Sequence, residues 1–273
     1  VEPKEGDDEK ILIPVKYPET CDTLVNIAIL MRNRRLNRGL VALNVVYDDD
    51  NAAYNQRSGQ ELMAHVTKTA AAADVRVQTQ VRLATNIANG IKHAFMEFDA
   101  SEIIMGLHIH HEVTTRFWGE FAQSLYNGLN RQIIIARCIQ PLPTLRMLQV
   151  AVPSRAEFEP GFYRWVERLA RMARNLDCRI TFNGRDASLQ AIREYVSAQH
   201  PSVRAQYEQM THWNELPALI QGIADDDMLV VVTARKGTIS YKTAMDWLPE
   251  ELAPHLRNHN TMIIFPDQYG KAD

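Results

Sequence analysis

The chain has 273 residues, 46 % of them hydrophobic and 23 % charged, which is ordinary globular material and enough for one or two domains of roughly 100–200 residues each. A formal net charge of -3 provides no basic footprint and argues against nucleic acid as a partner. The longest apolar runs, "MLVVV" and "IIIA", fall far short of the ~20 residues of a membrane helix, and Cys21, Cys138 and Cys178 are too scattered for a disulfide framework or zinc knuckle.

The opening "VEPKEGDDEK" carries no signal-peptide pattern. It reads as a solvated linker over residues 1–9, of the kind that joins a folded domain to the rest of a longer protein. Short β-rich runs come next at Ile11–Val15, Leu40–Val46, Val75–Val81, Ile103–Met105 and Gln132–Ala136. Between them, Ile87, Ile91, Ala94 and Phe95 mark one helical face, and Phe117, Phe121 and Leu125 mark another. Gly39 stands where the first helix should stop. The polar stretch "DDDNAAYNQRSGQE", with Ser58 and Gly59, reads as a flexible excursion rather than a nucleophile elbow.

The order then repeats. Leu148–Val152 predicts a strand, and Phe158, Phe162, Trp165, Leu169, Met172 and Leu176 step by three and four along a long helix. Cys178–Phe182, Val203–Gln209, Met228–Val232 and Thr261–Phe265 supply further strands, with helices over Asp186–Gln199, Trp213–Ala224 and Ser240–Arg257. Trp165 and Trp213 fit helix faces and are expected in the core. The join falls at "QPLPT", where Pro141 and Pro143 disfavour helix. The expectation is an α/β protein: two doubly wound, parallel, five-stranded sheets in tandem, over residues 10–140 and 146–273. The equivalent element order further predicts an intramolecular pseudo-dimer with the final strands of the two halves near a shared interface, since exposed edge strands need cover.

On these residues the chain resembles the universal stress protein family, with its adenine nucleotide alpha hydrolase-like fold. The family's loop is G-x2-G-x9-G-[S/T]. Here it starts at Gly106, in "IIMGLHIHHEVTTRFWGEF", and places Ile109 at the second glycine, Gly119 at the third and Glu120 at the hydroxyl. In the second half the equivalent positions are Thr233, Lys236, Asp246 and Trp247, with no glycine. "GLH" after the fourth strand and "FWG" at the helix start further resemble the cytoplasmic region of bacterial monovalent cation:proton antiporters.

The resemblance implies a nucleotide site built from Pro14, Val15, Lys16, Val45, Met105, Gly106, His108, Ile109, Gly119 and Glu120. In such a loop, glycines let backbone approach phosphate, and a helix N-terminus offers free amides. Three departures argue that the site is degenerate. A β-branched Ile109 in a left-handed conformation costs roughly 1–2 kcal/mol. Glu120 repels phosphate, and Lys16 stands at the aspartate position, where it cannot accept a sugar hydroxyl bond. Nucleotide binding is therefore expected to be weak and confined to the first domain, with no other cofactor and no catalysis.

His108, His110, His111 and Glu112 read as solvated loop residues rather than zinc ligands, with pH sensing the alternative use. Ser154 and Arg155, at the place equivalent to Lys16, read as a structural loop, and "RKGT" at Arg235–Thr238 as a small basic loop, with solvent exposure and anion binding equally good accounts of it. The expected role is a regulatory module on the cytoplasmic face of the inner membrane. Its partner would be the membrane-embedded transporter domain of the same longer chain, with a homodimer as a further assembly. The alternative is a stand-alone tandem universal stress protein that binds ATP or AMP.

Overall fold

The computed structural model describes residues 9–35, 40–107, 124–125 and 127–269. Their contacts divide into two compact units, one holding the described residues of 9–106 and 124–129, the other Leu107 and the described residues of 130–269.

The first unit runs β1 (Ile11–Pro14), α1 (Pro18–Met31), β2 (Leu40–Tyr47), α2 (Ala52–Ala72), β3 (Val77–Ala84), α3 (Ile87–Glu97) and β4 (Glu102–Gly106). Its strands lie in the order β3-β2-β1-β4, and every pairing between them is parallel. Ile11, Leu12 and Ile13 are all buried, as a central parallel strand covered on both faces requires. Edge strand β3, "VQTQVRLA", is half-exposed and polar, which makes it a poor template for pairing. Pro18 starts α1 with its preset φ, and Cys21, Leu24, Val25, Ala28 and Met31 recur at helical spacing on its buried face.

The polar stretch expected as a flexible loop is instead the first part of α2. Its inner face, Leu62, Met63, Val66 and Ala70, is narrow and lies beyond the polar residues. Gly59 sits inside this helix because nothing larger fits. A Cβ there would come 2.6 Å from Asn44 Oδ1 and 2.9 Å from Val81 Cγ1. Although alanine is the better helix former, Gly59→Ala is expected to destabilise the chain by about 1–3 kcal/mol through overpacking. Urea unfolding with a lower midpoint and unchanged slope is the check; a raised midpoint would show that the site has room.

The second unit contains β5 (Gln132–Arg137), β6 (Met147–Ala151), α4 (Phe162–Leu176), β7 (Arg179–Gly184), α5 (Asp186–Gln199), β8 (Ala205–Gln209), α6 (Leu216–Gln221), β9 (Asp227–Val232), α7 (Leu248–Leu256) and β10 (Asn260–Phe265). The order is β5-β10-β9-β6-β7-β8. All pairs are parallel except β5 with β10, which run antiparallel from Thr261↔Arg137 to Phe265↔Ile133. The expected meeting of the final strands of the two halves is thus a direct pairing, and it draws β5 into the second unit. The doubly wound α/β class, mostly parallel and repeated, is what the structure has.

Local departures have local causes. Phe158 is 65 % exposed in a short 3-10 turn, because Pro160 and Gly161 delay the start of α4 to Phe162. The helix expected at Ser240 begins at Leu248, after a 3-10 turn over Thr243–Trp247. The one expected at Trp213 starts as a 3-10 turn and becomes α6 at Leu216. Trp165 and Trp213 are core residues. Glu9, expected as the end of the linker, is buried, and its Oε1 accepts the Asn33 N–H at 2.7 Å. Gly39, Phe117 and Phe121 lie outside the described residues.

Late in α7, buried His255 stacks on His259 with ring centroids 4.4 Å apart, and His259 Nε2 lies 3.4 Å from Asp225 Oδ1. Burial, then the neighbouring His259, lower the His255 pKa from 6.5 to about 4. The unfolded chain therefore binds this proton more readily than the folded one. Stability is expected to be full above pH 6.5 and to fall as pH drops toward 4, by up to about 1.4 kcal/mol per pH unit. His255→Gln should flatten that part of the stability profile; an unchanged slope would assign it to other groups.

Candidate functional site

In open α/β sheets, ligands bind beyond the carboxyl ends of the strands where the strand order reverses. The first unit has this point between β1 and β4 and the second between β6 and β9.

In the first unit, β1 pairs with β4 from Ile11↔Glu102 and Leu12↔Ile103, so Pro14 and Val15 leave the sheet beside Met105 and Gly106. Val15 N–H donates to Leu43 O at 2.8 Å, and buried Asn44 Nδ2 donates to Val15 O at 2.8 Å. These bonds tie the end of β1 to β2 and hold Lys16 on the rim. Lys16 is exposed, with Nζ 5.3 Å from the Tyr17 ring centroid. Val45 is on β2, and its Cγ1 would meet a Cβ on Gly90 of α3 at 2.7 Å, so it packs beneath that helix. Pro14 and Val15 thus stand beside Met105 and Gly106 at the strand ends, with Lys16 next along the chain, while Val45 serves the neighbouring helix contact. His108, Ile109, Gly119 and Glu120 lie outside the described residues, as do His110, His111 and Glu112.

The second unit holds a group of residues that sequence reasoning did not single out. Glu159, in the loop after β6, is buried. Its Oε1 accepts Ser240 N–H at 2.9 Å and Ser240 Oγ–H at 2.6 Å, and its Oε2 accepts Gln268 Nε2–H at 2.7 Å. Ser240 belongs to the loop after β9 and Gln268 to the segment after β10. A carboxylate from the loop after β6 therefore takes the amide and hydroxyl donors of the loop after β9.

Beside it, Asp267 is 1 % exposed. Its Oδ1 accepts from Arg131 Nε at 3.1 Å and from Tyr269 N–H at 2.9 Å, and its Oδ2 lies 3.2 Å from Arg164 Nε. Arg235 is also buried, donating from Nη1 to Pro266 O at 2.5 Å and from Nη2 to Arg131 O at 2.6 Å. Burial pulls its pKa down to about 10, against the opposing charges of Asp267 and Glu159, so it stays cationic at neutral pH. Gly161 makes the close packing feasible, since a Cβ there would stand 2.5 Å from Asp267 N and O.

This corrects the reading of "RKGT" as a solvated basic loop. Arg235 is an interior brace, and Lys236 and Gly237 are exposed, with Lys236 Nζ 3.9 Å from Asp246 Oδ2. Thr233 is buried, its N–H donating to Ile264 O at 2.9 Å. Ser154 is buried, and Arg155 takes a left-handed turn at φ 64. The signal available in the sequence was positional for Arg235 and Asp267, which fall just past the ends of β9 and β10, whereas Glu159 lies further along the loop after β6.

No family model and no curated protein sequence matches the chain. Solved structures do. A universal stress protein from Archaeoglobus fulgidus DSM 4304 superposes with TM-score 0.63 at 12 % identity, over 95 % of this chain and 97 % of that one. The chain therefore has the universal stress protein fold, in tandem. A similar superposition is found with the cytoplasmic domain of a prokaryotic cation chloride cotransporter, at TM-score 0.61 and 8 % identity, over 97 % of this chain and 98 % of that one.

Proposed function

We propose that this chain is a non-catalytic regulatory module of a cation transporter, acting at the cytoplasmic face of the inner membrane with degenerate nucleotide crevices. The observation that carries the reading is Glu159. In the second unit the donors of the β9 loop are satisfied by the protein's own carboxylate, which leaves an external anion a buried negative charge to displace. A crevice closed in this way suits a scaffold whose work is assembly or sensing.

Likeness to a transporter's cytoplasmic domain over nearly the whole chain supports the partner, a membrane-embedded domain of the same longer protein. Among the described residues no helix is long and apolar enough to cross a membrane; on this reading the partner domain spans it. The "GLH" and "FWG" features favour a monovalent cation:proton antiporter over other cation carriers. The test is the continuous reading frame upstream of Val1: about a dozen apolar spans of ~20 residues are expected, and a start codon close to Val1 would overturn the transporter assignment.

A second reading, a stand-alone tandem protein that binds ATP or AMP, rests on the first unit. There the ends of β1 and β4 converge with Gly106 between them. Nucleotide affinity confined to that unit, together with a short upstream frame, would favour it.

A further inference from the structure

We propose that Cys21, Asp22 and His65 form a binding site for a divalent ion of the zinc class on the first unit. Cys21 and Asp22 lie in the first turns of α1 and His65 on α2. His65 Nε2 is 2.9 Å from Asp22 Oδ1 and 3.1 Å from Oδ2, and Cys21 Sγ is 3.7 Å from Oδ1. One donor atom from each residue falls within 4.8 Å of the other two.

These separations are close to what such an ion needs. With Zn–S near 2.3 Å and Zn–N and Zn–O near 2.0–2.2 Å in a tetrahedron, donor atoms stand roughly 3.3–3.7 Å apart. The sulfur–carboxylate separation already matches. The imidazole must move a few tenths of an ångström from the carboxylate and swing toward the sulfur, a side-chain adjustment for a residue half exposed to solvent.

The donor set points to the ion. One thiolate, one imidazole and one carboxylate suit zinc or cobalt and are wrong for magnesium or calcium, which take oxygen cages. Buried Cys21 forms the floor of the site, its thiol pointing at Pro18 O 3.3 Å away. Burial and then the Asp22 charge favour the protonated thiol, so a bound ion would itself displace that proton to solvent. Asp22 and His65, with side chains 47 % and 49 % exposed, form the rim and leave a fourth position open to water. Thr69 supplies the outer support, donating its hydroxyl to Asp22 Oδ1 at 2.6 Å, which fixes the carboxylate and leaves a second lone pair on that oxygen for the ion.

The competing account of the same atoms is an Asp22–His65 ion pair that binds no metal. Titration of the purified 273-residue chain with Co2+ separates the two. A thiolate-to-cobalt absorption band is expected, saturating at one ion per chain and abolished by added Zn2+. Cys21→Ser should remove the band, whereas Cys138→Ser and Cys178→Ser should leave it. His65→Gln, a half-exposed change that does not threaten the fold, should weaken Co2+ binding by about tenfold or more, and Thr69→Val by about tenfold. Cobalt bound without a thiolate band would place it on imidazoles elsewhere, the run His108–His111 included, and would overturn the proposal. So would a band that survives Cys21→Ser or His65→Gln, or no binding at all.

Discussion

Asp267→Ala is expected to destabilise the second unit by roughly 3–5 kcal/mol, among the largest effects of any single substitution in the chain. The carboxylate is 1 % exposed and stands between Arg131 and Arg164, with Arg235 close enough to feel its charge. Removing it takes away the acceptor of part-buried Arg131 and Arg164 and the negative charge that offsets buried Arg235. Asp267→Asn keeps the shape and loses the charge, so it should fall between the variant and the parent. Denaturant midpoints for the three proteins are the measurement; a loss under about 1 kcal/mol for alanine would mean that the arginines find other partners.

Glu167→Ala is expected to cost a similar amount, again roughly 3–5 kcal/mol, for a different network. On α4, Glu167 accepts the Tyr195 hydroxyl, and its Oε2 lies 2.7 Å from His200 Nε2 and its Oε1 2.9 Å from Arg171 Nε. Burial raises this carboxyl, but the bonds from His200 and Tyr195 and the Arg171 charge outweigh it and bring the pKa from 4.5 down to about 2. With a folded pKa below the unfolded one, the stabilisation is present above pH 4.5 and is lost as pH falls through 2. The gap between parent and variant should accordingly be widest above pH 4.5 and narrow below it. A gap that stays constant down to pH 2 would assign the effect to packing between α4 and α5 rather than to the charge.

The two networks also mark where sequence reading stops. Strands such as "ILIP" and the "MLVVV" of β9 are legible because parallel strands buried on both faces must be apolar. Pro14, Val15, Met105 and Gly106 come from the family resemblance, and the register of β1 with β4 sets these four side by side at the strand ends. α2 was not legible, because "DDDNAAYNQRSGQE" shows its solvent face first and its apolar stripe only from Leu62 onward. Glu159 was not legible either. Its partners Ser240 and Gln268 are 81 and 109 residues away, and a buried carboxylate looks in sequence like any surface acid until those partners are known. The Cys21–Asp22–His65 cluster has the same character, for helical neighbours and a histidine on the next helix carry no spacing signature.

The two units differ at their switch points in a way that bears on what the chain does. In the second, Glu159 and Asp267 have taken up the donors and cations that an anionic ligand would use. In the first, the described residues bring together strand ends and an exposed Lys16, chemistry that attracts an anion without the acceptor a ribose requires. On the function proposed above, such a chain keeps the fold for packing and partner contact rather than for nucleotide chemistry.

Isothermal titration of ATP, with magnesium, into the purified chain tests this account most directly. The account predicts no saturable heat at micromolar ATP and at most millimolar affinity, with one site or none. Saturable micromolar binding would contradict it, and would return the first unit's crevice to the class of working nucleotide sites.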